Sequence, residues 1–171
     1  CFLDHPKSAP TLHVTWTATG IDVDVTGVER KTGGRSADAA MRAAEAAAAG
    51  DFARVTMSGE IVYQARQPMV RLGQAAVALP AGGFLQAVPQ AEAAMAAFAV
   101  QAVAGAHKVV DLFSGVGTFS FRLAEAASVH AVDSSEAAIA ALRTAVGGAP
   151  GLKVMTAEAR EELYVLIVKS A

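Results

Sequence analysis

The sequence predicts an α/β fold in two parts: a small β-rich α+β domain over residues 1–79, then part of an open parallel sheet over residues 80–171. Two observations predict it. From Lys108 to Asp133 the chain reads KVVDLFSGVGTFSFRLAEAASVHAVD, a strand, a glycine turn, an apolar helix pattern, a second strand and a terminal acid. Before residue 80, by contrast, short β-branched runs follow one another as hairpins; after it, strands alternate with helices.

In the first part, Leu12 to Thr17 alternates and is rich in β-branched residues. Gly20 follows, and then Ile21 to Val25, so the pair predicts a hairpin. Lys31 to Arg35 is expected to turn. Ser36 is placed to cap a helix over Ala37–Ala49 that Gly50 ends. Arg54–Met57 and Glu60–Gln64 flank Ser58-Gly59 as a second hairpin, and Val70–Leu79 adds a strand. The alanine tract Ala43–Ala49 is read as helix surface, and no residue of this half carries catalysis by itself.

Pro80-Ala81-Gly82-Gly83 marks the expected boundary. Beyond it come a short apolar segment with one polar side chain, Phe84-Leu85-Gln86-Ala87, and a helix opened by Pro89 and closed by Gly105. In that helix Ala93, Ala94, Ala97, Phe98 and Gln101 give a 3.6-residue period. Lys108–Leu112 is expected as a buried strand and Val129–Val132 as the next, ending on Asp133. A helix over 135–146, a turn at 147–150 and a strand over Leu152–Met155 complete the pattern. Alternation of this kind predicts a parallel sheet. About three strands are visible where an open nucleotide-binding sheet has five or more, so residues 80–171 read as its first half.

Composition narrows the field. With 53% apolar and 18% charged residues the chain has ample core material. No apolar run is long enough to span a bilayer, and the start is not a secretory signal, which points to the cytoplasm and away from membranes. A single cysteine excludes a disulfide framework and a Cys-rich metal site, and the four histidines show no ligand spacing, so no metal is expected. Residues 1–79 carry eight basic and eight acidic side chains, and residues 80–171 carry six and eight. Neither half is a basic nucleic-acid footprint. The chain begins at Cys1 and not at a methionine, as expected of a piece of a longer protein.

The glycine turn selects the ligand. A dinucleotide fold wants G-x-G-x-x-G, with the third glycine packing helix against strand. Here Gly115 and Gly117 are followed by Ser120, and Asp111 precedes the turn. Asp111 either orients the turn or meets the cationic amino group of S-adenosylmethionine. Asp133, at the end of the second strand, is placed to accept hydrogen bonds from both ribose hydroxyls.

The run DLFSGVGTFSFRLA, followed by VHAVDSSEAAIAAL and preceded by GGFLQAVPQAEAAM, closely resembles the RNA uracil-5-methyltransferases. The match covers residues 80–157 well, and residues 12–79 are similar to that family's central domain. The resemblance implies a Rossmann-like S-adenosylmethionine methyltransferase domain, partial here, and methylation of uridine C5 in transfer or ribosomal RNA by the full-length protein. It puts Gln86 at the cofactor near its methionine end, Phe113, Gly115 and Gly117 in the turn, and Thr118 where many members have asparagine. Asp133 stands at the ribose, where many members have glutamate.

Departures from the family set a limit. Its mechanism needs a cysteine thiolate to attack C6 of uracil and a general base to remove the C5 proton. No cysteine follows the turn in this chain, and Cys1 is read as an ordinary apolar residue, so no catalytic residue is assigned; these residues alone are expected to bind S-adenosylmethionine weakly or not at all and not to methylate. One cysteine holds no iron–sulfur cluster. The tail Glu161–Lys169 fits the family poorly. Two further readings stay open: a Rossmann-type methyltransferase with another substrate, and a non-catalytic module whose degenerate pocket is a structural core.

Overall fold

Alternation of β-branched residues around Gly20 folds the first segment back on itself, as β1 (Thr11–Thr17) and β2 (Gly20–Thr26) in unbroken antiparallel register from Thr11↔Thr26 to Thr17↔Gly20. The structure, a computed structural model, describes residues 10–27, 34–149 and 155–159. The chain divides into two compact units, Cys1–Met69 and Val70–Ala171.

In the first unit, helix α1 (Gly34–Ala49) connects β2 to β3 (Arg54–Met57). These strands pair in parallel, and β4 (Glu60–Gln64) adds antiparallel with a bulge at Val55/Thr56. The order is β1-β2-β3-β4. Helix α1 begins two residues before Ser36, so Ser36 is not its cap. Gly34 and Arg35, expected in a turn, belong to the helix, and the rest of that turn lies outside the described residues. Ala47 packs on Val23, Val25 and Val55 as the core of this unit. On the other face of the sheet, Arg54 donates to both oxygens of Asp22 at 2.9 and 2.6 Å, with both residues buried. A pair so enclosed is held by its bidentate geometry; either charge left alone there would be costly.

The second unit starts earlier than the Pro80 turn suggests. Residues 69–78 form two strands, β5 (Met69–Leu72) and β6 (Ala75–Ala78), turned at Gly73 with φ of +60°. Val70, Leu72, Ala75, Val77 and Leu79 belong to the same core as Val116, Phe121, Ala131 and Leu142. That burial ties the hairpin to the second unit, and the proline-glycine turn lies within the unit.

Helix α2 (Pro89–Ala102) follows, with proline at its start where a missing N–H costs nothing. Its buried side is not the one periodicity predicts. Ala93, Ala94, Ala97, Phe98 and Gln101 are exposed, and Ala96 is the buried residue, flanked by half-buried Glu92, Ala99 and Val100. The helix is apolar nearly all round, so its period marks no single face. Its orientation follows Val100 and Val103, which pack on Leu123, Ala124 and Val129, and Glu92, which pairs with Arg122 at 3.1 Å.

Strands β7 (Lys108–Leu112), β8 (Ser128–Asp133) and β9 (Met155–Ala159) form a parallel sheet in that order. Between them lie a short helical turn, α3 (Ser120–Leu123), and α4 (Glu136–Val146). Ser135 caps α4, its hydroxyl accepting from Ala138 N–H at 3.2 Å. Two expectations change here. Strand β7 is not buried, since Lys108 and Val110 are exposed. Strand β9 runs to Ala159, while Leu152–Val154 and the tail from 160 lie outside the described residues.

Candidate functional site

Parallel pairing in the register Leu112↔Val132 brings the carboxyl ends of β7 and β8 side by side. The chain leaves β7 through a turn that reverses within a few residues, and three positions need left-handed backbone: Phe113 at φ +59°, Gly115 at +55° and Gly117 at +95°. Ser114 N–H donates to Val132 C=O at 3.1 Å and Gly117 N–H to Ser114 C=O at 2.9 Å, so the turn is stitched both to β8 and to itself.

Asp133 completes the arrangement. Its Oδ2 accepts the Gly115 N–H at 2.8 Å, and its Oδ1 accepts the Ser135 N–H at 2.8 Å. One carboxylate thus joins the tip of β8, the glycine turn and the start of α4. Each carboxylate oxygen has a second lone pair, so Asp133 can still accept from two hydroxyls.

The two glycines are required for different reasons. A Cβ on Gly117 would lie 2.7 Å from Phe121 Cε2 and 3.0 Å from Leu142 Cδ1, both in the core. A Cβ on Gly115 would meet nothing within 4 Å, and Gly115 lines a cavity. Both glycines supply left-handed backbone; Gly117 adds a close fit to the core, while the open side of Gly115 faces the cavity.

That cavity, of about 330 Å³, lies in front of the turn. Of the residues singled out from sequence, Gln86, Phe113, Gly115, Thr118 and Asp133 line it together, while Asp111 and Gly117 do not. Asp111 faces the helix side, where its Oδ2 accepts from the fully buried Ser120 hydroxyl at 2.5 Å. Burial raises the Asp111 carboxyl above the ordinary carboxylate range, the Ser120 hydroxyl pulls it back, and the charge of Asp133 adds to the rise.

Sequence reasoning missed several lining residues. Phe84 stands at the cavity with its ring exposed, and Ser114 is buried there with an Oγ that has no hydrogen-bond partner. Ser135, the cap of α4, and Ala138 in its first turn also reach the cavity. Among the described residues, Asp133 is the one ionisable side chain lining the cavity, and no lysine or arginine does so.

Comparison with known proteins agrees with this architecture. A protein of Caulobacter vibrioides named as an uncharacterized RNA methyltransferase is 68% identical over 160 residues, covering 94% of this chain and 39% of that protein. The tRNA (uracil-54, C5)-methyltransferase of Pyrococcus abyssi, solved with S-adenosyl-L-homocysteine, superposes with a TM-score of 0.61 at 18% identity, over 87% of this chain and 38% of that one. The tRNA m1G37 methyltransferase of M. jannaschii gives 0.62 at 14% identity, over 96% and 56%. The fold is Rossmann-like, that of the methyltransferases. No family model matches the chain. It spans about two fifths of the length of the curated relatives it matches. No helix among the described residues is long and apolar enough to cross a membrane.

The contrast between the glycines is measurable. Gly117→Ala should lower the stability of the second unit by about 2–5 kcal/mol, overpacking of the core added to the penalty of a left-handed alanine, read by urea unfolding. Gly115→Ala should cost only about 1–2 kcal/mol, the penalty of a left-handed alanine alone. Equal losses would contradict the division of roles.

Proposed function

We propose that this chain is the cofactor-binding part of an RNA methyltransferase that takes S-adenosylmethionine, and that the complete enzyme methylates C5 of uridine. The observation that carries the cofactor is the charge of the cavity: one carboxylate, Asp133, and no cation among the lining residues. A nucleotide with phosphates would meet an anion, and the Gly115 N–H that a phosphate would need is already committed to Asp133. A nucleoside without phosphates and with a net positive charge, a sulfonium and an ammonium against one carboxylate, suits such a site.

The residues fit that ligand. Asp133 would accept the ribose hydroxyls with the lone pairs left by Gly115 and Ser135. Gly115 lets the backbone approach closely, and Thr118 and Gln86 supply further polar groups on the cavity wall. Gly117 and Asp111 act from behind the wall, the first by packing and the second by bracing β7 against α3 through Ser120. S-adenosylmethionine supplies an electrophilic methyl group when bound; what these residues contribute is its position.

RNA as the substrate draws support from the names of the relatives that share this sequence. The uridine assignment rests on the Phe84-x-Gln86 segment placed upstream of the D-L-F-x-G-x-G turn. Fold alone does not choose it, since the uracil-C5 and m1G37 enzymes superpose equally well. The thiolate and base of that chemistry have no counterpart among the residues assigned to this site.

Calorimetry tests the cofactor reading. S-adenosylhomocysteine should bind and ATP should not displace it. Asp133→Ala should weaken binding by about tenfold or more, as expected for losing hydrogen bonds to a charged acceptor. Preferential binding of ATP, or unchanged affinity in the variant, would refute it. For the substrate, nucleosides from RNA treated with the complete protein should contain 5-methyluridine; 1-methylguanosine instead would overturn the uridine assignment.

A further inference from the structure

The two edges of the four-stranded sheet in the first unit are built differently. Strand β4 has the features that keep an edge from pairing: it is five residues long, begins on Glu60 and follows a bulge against β3. Strand β1 has none of them. Its seven residues, TLHVTWT, contain no proline, glycine, lysine or acid, and its register with β2 is unbroken.

Three of its side chains form an exposed apolar row. Leu12, Val14 and Trp16 are 55%, 64% and 85% exposed. They lie opposite Val25, Val23 and Ile21, which belong to the core under α1. Residues directly opposite share a face of the sheet, so the row is the core face continuing past the cover that α1 provides. A contiguous apolar margin along an edge that pairs with no other strand among the described residues is a template for another strand.

The row is also complementary to itself. An antiparallel pair of β1 strands centred on Val14 sets Leu12 against Trp16 of the second copy, Val14 against Val14, and His13 against Thr15. Apolar side chains then share one face with apolar side chains, no like charges meet, and the register closes as a two-fold dimer. We propose that β1 is a self-association edge through which two copies of this chain join their sheets about Val14.

Trp16 is the chain's single tryptophan, so it reports on this contact directly. Sedimentation equilibrium of the 171-residue chain should show a monomer–dimer equilibrium, with Trp16 emission shifting to shorter wavelength over the same concentration range. Val14→Lys brings two ammonium groups face to face on the axis and should weaken dimerisation at least about tenfold. Val14→Thr, which keeps the β-branched shape, should weaken it less and serves where the lysine variant fails to fold. A monomer at all concentrations would overturn the proposal. So would emission at short wavelength independent of concentration, which would mean that the row is covered within its own chain, or a dimer that both variants leave unchanged.

Discussion

The carboxylate of Asp133 and the N–H of Gly115, 2.8 Å apart, make the contact on which the second unit's site depends. A turn that leaves a strand with three left-handed residues, one of them Phe113, is strained on its own; a bulky residue at positive φ costs on the order of 1–3 kcal/mol. Here it is held from the neighbouring strand, by Ser114 on Val132 and by Gly115 on Asp133. The same carboxylate takes the Ser135 N–H, so the position of α4 is fixed to the shape of the turn.

Packing behind the turn supports this. Phe121 is fully buried against Gly117, and the β5–β6 hairpin adds Leu72, Val77 and Leu79 to the core that holds Val116 and Leu142. The wall of the cavity is therefore the outer surface of a close-packed core, which is what keeps a binding site from collapsing. Asp111 belongs to this support. Its hydrogen bond to Ser120 joins strand to helix where a dinucleotide fold would use a third glycine.

Much of this was legible in the sequence wherever a local rule decides the outcome. The β3–β4 hairpin has the bounds that its flanking residues predict, the glycine turn and the acid of β8 fall where the spacing puts them, and α4 lies within a residue of its expected bounds. What was not legible depends on partners distant in sequence. Helix α2 is so uniformly apolar that its buried side is chosen by Val100 and Val103 meeting Leu123 and Val129. The residues from Val70 to Leu79 read as one strand, yet Gly73 bends them into two, and their core partners lie beyond residue 115. Asp111 reads as a ligand contact or a brace with equal reason from sequence; the position of Ser120 turns its carboxyl away from the cavity.

The proposed function requires the glycine turn and Asp133 to act as one ligand-binding unit. Amide resonances followed during titration of the 17.4 kDa chain with S-adenosylhomocysteine test it most directly. The Gly115 and Ser135 amides, both bound to Asp133, should shift together and saturate at one ligand concentration. Shifts elsewhere in the chain that leave both of these amides unmoved would contradict it.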